Sequence, residues 1–174
     1  KVPIDDYEKF IRDVVQTGLF DIIWLHDASA GTDPIDNLRK EFPKQIFPVT
    51  ASNYRPVGGN AYWIQAYAHE AAYISGVIAG MVTKTDSIGM VAGFPYASVN
   101  HLLNAFADGA KSVNSRVKFK VAYIEAWWDP VKAKETALAQ IEAGADVIYS
   151  ERYGAFEAAR DKKVLAFGNQ ADMH

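Results

Sequence analysis

Five turns, each following a β-favouring run, collect the side chains able to do chemistry: residues 26–34, 93–97, 125–130, 150–154 and 168–172. They carry His26, Asp27, Ser29, Phe94, Trp127, Trp128, Asp129, Glu151, Arg152, Tyr153, Asn169, Gln170 and Asp172. Aromatic plates next to carboxylates and amides suit a small ring-bearing ligand. The plates remove the faces of the ring from water, and the polar groups pair with its edge or with sugar hydroxyls. Each residue also has a plainer explanation. Asp129 precedes Pro130, which is the place of a helix cap before a proline at the first helical position. Pro95 restrains Phe94 to an extended backbone, which either holds its ring over a cleft or packs it at a sheet edge. Two adjacent tryptophans in an extended segment cannot both enter one core. At least one of the pair, with Trp128 favoured, becomes a pocket wall or an interdomain contact.

Catalytic patterns are poor by comparison. His26, His69, His101 and His174 show no metal-ligand spacing, and His69-Glu70 on a helical stretch reads as structural, so neither a metal nor a cofactor is expected. The glycines of GVIAG at 76–80 and GMVAG at 89–93 do not make a dinucleotide fingerprint. Gly76 and Gly80, four apart in a helix, are expected to allow close packing against a sheet. No phosphate loop and no GxSxG nucleophile turn occur. Asp5-Asp6 reads as solvent-facing charge at a helix start. Without cysteine there is no thiolate nucleophile and no disulfide. An α/β enzyme would need convergent acid and base groups, and the spacing supplies none.

The turns are positioned by alternating elements. Apolar spacing predicts helices over 5–17, 35–41, 69–82, 98–113, 130–143 and 154–161, and strands over 20–25, 44–49, 61–67, 87–92, 117–124, 146–149 and 164–167. FDIIWL at 20–25 shows little alternation, as expected of a strand covered on both faces. Such a progression implies an α/β fold with parallel sheets flanked by helices, whose ligands meet the carboxyl ends of the strands.

Length and charge narrow the classes further. The 174 residues, 49% of them apolar, suffice to bury a core. With 18 basic against 21 acidic side chains there is no broad cationic face, and nucleic acid is not an expected partner, although Lys111, Arg116, Lys118 and Lys120 could form a local patch. The strongest apolar run, at 71–82, is too short to span a membrane, for which about 20 residues are needed. Neither KVPIDDYEKF at the start nor FGNQADMH at the end reads as a natural boundary.

Several ordered motifs resemble one family. HEAAYISGVIAGMVTKTDSIGMVAGFP at 69–95, VNHLLNAFADGAKSVN at 99–114, WWDPVKAKETALAQIEAGADVI at 127–148 and VLAFGNQADM at 164–173 are similar to the basic membrane protein family of solute-binding lipoproteins. The resemblance implies a type I periplasmic-binding-protein-like fold of two lobes. It also implies a purine nucleoside receptor of a bacterial ABC importer that binds without catalysis, with a permease as partner. It places the protein at the periplasmic or extracellular face of the bacterial cell membrane, where a lipid anchor would attach it. The lobes it implies are 1–66, an incomplete first lobe; 67–167, the second lobe; and 168–174, a return crossover.

Carried over by position, the resemblance gives the ligand-binding residues as Phe94 in an aromatic-Pro turn, Trp128 and Asp129 in an aromatic-Asp pattern, and Gln170 and Asp172 in the return segment. SERYGAFEAA at 150–159 departs from the His-bearing or Gly-rich turn of many relatives and puts Glu151 and Arg152 at a pocket position. The solute expected is a purine nucleoside or base. The alternatives are another small solute in the same receptor class, an α/β enzyme, or a regulatory protein that reuses the binding fold.

Overall fold

The computed structural model describes residues 7–26, 32–50 and 59–169, without the side chains of 32–34. The chain divides between Ala66 and Tyr67 into two compact units.

The first unit has helices α1 (Tyr7–Gln16) and α2 (Thr32–Glu41) and strands β1 (Leu25–His26), β2 (Phe47–Thr50) and β3 (Ala61–Trp63). The strands form a parallel sheet in the order β1-β2-β3. Its core is Ile11, Leu25, Ile35, Leu38, Phe47, Val49 and Ala61. The expected strand over 20–25 is reduced to Leu25–His26, preceded by an isolated bridge between Ile22 and Ile46. The reading of this segment as covered on both faces is also corrected. Phe20, Ile22 and Trp24 are exposed while Ile23 and Leu25 turn inward, which is the period-two alternation of a half-covered strand. The third expected strand is likewise shorter, ending at Trp63.

The second unit alternates strictly: α3 (Ala68–Val82), β4 (Ser87–Ala92), α4 (Ala97–Val113), β5 (Lys118–Tyr123), α5 (Pro130–Glu142), β6 (Val147–Ser150), α6 (Ala155–Lys162) and β7 (Leu165–Gly168). All its strand pairs are parallel, in the order β5-β4-β6-β7. The pleat sorts side chains between two cores. Ile88, Met90, Ala92, Val147 and Tyr149 join Leu103 and Phe106 of α4, whereas Val91 and Ile148 join Ala133 and Ala137 of α5 and Ala155 and Ala158 of α6. The sheet is therefore covered on both faces, which explains why β4 and β6 read as continuous apolar runs.

The two helices on the first of these faces approach unusually closely. A Cβ on Gly76 would overlap the carbonyl oxygen of Phe106, and one on Gly109 that of Tyr73. The partner of Gly76 and Gly80 is thus α4, not the sheet, because α3 and α4 cross where neither carries a side chain. At the end of this helix pair the rings of His69 and His101 stack with centroids 4.3 Å apart.

Candidate functional site

In an open parallel sheet, a ligand crevice forms outside the carboxyl ends of the strands where the strand order reverses. The second unit has one such place. From β4 the chain goes to β5 on one side, and β6 then pairs with β4 on the other. The crevice lies between the ends of β4 and β6, beside the end of β5, so the turns that begin at Gly93, Ile124 and Glu151 meet there.

Those turns are stitched together by one buried carboxylate. Glu151 is 3% exposed, and its Oε1 accepts the Gly93 N–H at 2.6 Å. Its Oε2 pairs with Arg152 Nη2 at 2.5 Å. Arg152 Nη1 donates to the carbonyl of Trp127 at 2.6 Å, and the guanidinium lies 5.3 Å from the centre of the Trp127 ring. Arg152 Nε is buried without a partner. Ser150 Oγ accepts the Arg152 N–H and has the carbonyls of Arg152, at 2.8 Å, and Val91, at 3.2 Å, as alternative acceptors for its one proton. Buried charge is tolerated here because each ion is paired and hydrogen-bonded.

The aromatic residues form two groups. Phe94, Tyr96 and Trp127 cluster, with ring centroids 4.9 Å apart for Phe94–Trp127, 5.5 Å for Phe94–Tyr96 and 5.7 Å for Tyr96–Trp127. Trp128, 71% exposed, instead meets Tyr153 at 5.2 Å. These two rings help line a cleft of about 550 Å³ that also includes Pro130, Phe156, Arg160 and Ala166. Asp129 caps α5, its Oδ1 accepting the Lys132 N–H at 2.9 Å with Pro130 at the first helical position.

The structure thus brings Phe94, Glu151 and Arg152 into one network and sets Trp128 on a neighbouring cleft, with Asp129 below it as a cap. Gln170 and Asp172 lie outside the described residues, as do Asp27 and Ser29. Asn169, just past β7, has a buried side-chain oxygen without a partner. Sequence reasoning passed over Gly93 and Tyr96 as site-building residues and favoured Trp128 over Trp127. The glycine at a strand end followed by FPY was the available signal, since a Cβ on Gly93 would press on Ala126, Trp127 and Glu151.

No acid–base constellation emerges among the described residues. Burial, helped by the charge of Glu151, pushes the Tyr149 hydroxyl far up, so it keeps its proton; its ring stacks on Phe106 in the core. No group of three or more His, Asp or Glu among the described residues could hold a metal ion. No described helix is long and apolar enough to cross a membrane.

Residues 4–173 match the family model Bmp, described as ABC transporter substrate-binding protein PnrA-like. A putative ABC transporter glucose-binding protein of Haloferax volcanii is 38% identical over 143 residues, 81% of this chain and 36% of the relative. A purine-binding protein of Brucella abortus is 33% identical over 143 residues, 81% of this chain and 40% of the relative. The chain therefore spans well under half the length of these two relatives. Among solved structures, an ABC transporter solute-binding protein of Aeropyrum pernix aligns with a TM-score of 0.76 at 21% identity, over 97% of this chain and 50% of that one. This likeness establishes the type I periplasmic-binding-protein fold.

Proposed function

The chain belongs to the Bmp family of PnrA-like ABC transporter substrate-binding proteins, and from that premise we propose that it supplies part of a receptor for a purine nucleoside or purine base. Proteins of this family bind a small solute for a permease, are in general not enzymes, and typically work outside the cytoplasm. The finer reading places this receptor at the periplasmic or extracellular face of a bacterial membrane. Residues 1–66 are then a partial first lobe, 67–167 the second lobe and 168–174 the crossover back. Its solute wall comprises Phe94, Trp128 and Asp129, with Gln170 and Asp172 following β7. Glu151 and Arg152 belong to the wall through the turns they hold.

The observation that carries this reading is the concentration of aromatic rings at the carboxyl ends of β4, β5 and β6, where Phe94, Tyr96, Trp127, Trp128 and Tyr153 gather. Stacking of a base on an aromatic ring is worth about 1–3 kcal/mol and favours a planar solute. The Brucella relative is named for purine binding. A sugar is the second reading, favoured by the Haloferax relative named for glucose.

Calorimetry on the receptor with adenosine, guanosine, adenine and glucose tests both. Saturable binding of a purine or nucleoside with glucose silent is expected. Binding of glucose while every purine and nucleoside stays silent would replace the first reading with the second.

A further inference from the structure

Glu151 and Arg152 are adjacent, oppositely charged and located at the crevice, which invites their reading as solute contacts. Their geometry points elsewhere. Both Glu151 oxygens are engaged inside the protein, one by the Gly93 N–H and one by Arg152. The Arg152 side chain is only 12% exposed, and it spends one terminal nitrogen on Glu151 and the other on the Trp127 carbonyl. Its guanidinium carbon lies over the Trp127 ring, 5.3 Å from the ring centre, and that ring in turn packs on Phe94 and Tyr96.

The pair therefore links all three turns of the crevice: the end of β4 through Gly93, the end of β5 through Trp127, and the end of β6 through its own backbone. Two backbone contacts tighten the same junction. The Glu125 N–H donates to the Gly93 carbonyl at 2.8 Å, and the Glu151 N–H to the Val91 carbonyl at 3.3 Å. A guanidinium suits this role better than an ammonium, because its rigid fork can hold a carboxylate and a carbonyl at once while its charge sits over an indole.

We propose that Arg152 is a positioning residue, which sets the Trp127 turn and hence the Phe94–Tyr96–Trp127 wall, and that Glu151 anchors it to Gly93. The proposal rests on the solute-receptor reading of this site. It assigns to the pair a role in shaping the wall and no contact with the solute. Charge at positions 151 and 152 then specifies the geometry of the pocket rather than the charge of its occupant.

A double-mutant cycle tests this, with adenosine as the probe and calorimetry as the readout. R152A is expected to weaken adenosine binding at least tenfold, and R152K nearly as much, since lysine retains the charge but loses the fork. In a W127L background, R152A should add less than a threefold further loss, because the ring that Arg152 positions is gone. A full tenfold loss in that background, or rescue by R152K, would overturn the proposal in favour of direct contact.

A second measurement needs no solute. In E151A, exchange of the Gly93 amide hydrogen should accelerate at least tenfold and the near-ultraviolet circular dichroism should change, with the far-ultraviolet spectrum retained. Unchanged Gly93 exchange would refute the anchor. If the unmodified protein binds no purine, the purine reading fails, while exchange and near-ultraviolet spectra still decide whether the latch exists.

Discussion

Gly76 and Phe106 meet backbone to backbone: the α carbon of Gly76 faces the Phe106 carbonyl so closely that a methyl group there would overlap the oxygen. Gly109 makes the reciprocal approach to Tyr73 from α4. Neither obstacle is the flexible end of a side chain, so relief requires the helices to separate. The α3–α4 layer covers the sheet face holding Ile88, Met90 and Tyr149, and the second unit depends on it.

G76A is therefore expected to destabilise the protein by about 2–3 kcal/mol, the scale of overpacking a close-packed core. The gain in helix propensity from Gly to Ala, about 1 kcal/mol, works in the opposite direction and is smaller. Urea denaturation checks the sign. An equal or higher midpoint in G76A would show that the helices part at little cost.

Asp129 serves as a cap whatever else it does. D129A should cost about 1 kcal/mol of stability through loss of the bond from the Lys132 N–H, whereas D129N keeps an acceptor and should cost little. The same pair separates capping from recognition. If Asp129 reads the solute as an anion, D129N weakens adenosine by about tenfold with an unchanged melting curve, on the scale of a charged hydrogen bond. Unchanged affinity in D129N would leave the cap as its only role.

Asp146 ties the loop after α3 to the start of β6. It accepts from Thr83 Oγ1 at 2.6 Å and from the backbone N–H groups of Lys84 at 2.6 Å and Thr85 at 3.1 Å. Burial alone would raise its pKa, but these hydrogen bonds outweigh it and hold the carboxyl below its ordinary 3.8. A carboxyl depressed in the folded state contributes stability above its unfolded pKa and loses it as the pH falls through the folded value. D146N should therefore lose about 1–2 kcal/mol at neutral pH, and its deficit should shrink below about pH 4. Urea titrations at pH 7 and pH 3 measure the difference. A deficit equally large at both would rule out the charge as its source.

The order of helices and strands was readable because each amphipathic or apolar run here is long enough to show its period, most plainly in α4, where Val99, Leu103, Phe106 and Ala110 are all buried. FDIIWL was misread because a run in which every other residue is apolar and exposed looks like one buried on both sides. The crevice could be located from the strand ends, but its wiring could not. The bond between Glu151 and Gly93 joins residues 58 apart, and no local pattern announces it. The adjacent tryptophans favoured Trp128 as the exposed ring, but their spacing did not show where either ring points. Glu125 adopts a left-handed backbone with φ of 56°, and where the Trp127 and Trp128 rings point depends on the turn this residue opens.

That turn leaves Trp128 as the most exposed ring of the site, resting only on Tyr153 among the described rings. So exposed a side chain contributes little to folding, and W128A should change stability by no more than about 0.5 kcal/mol. An indole this exposed on a cleft wall is nevertheless a flat apolar surface left in water, and covering it with a base recovers about 1–3 kcal/mol. W128A is therefore expected to weaken adenosine between about fivefold and 150-fold while the denaturation curve stays in place. Y153L, which removes the ring beside Trp128 but leaves Trp128 itself, should give a smaller loss of the same sign. Affinity unchanged in a folded W128A would assign the stacking surface to the Phe94–Tyr96–Trp127 cluster instead, and the same calorimetric series on F94A would then show the loss.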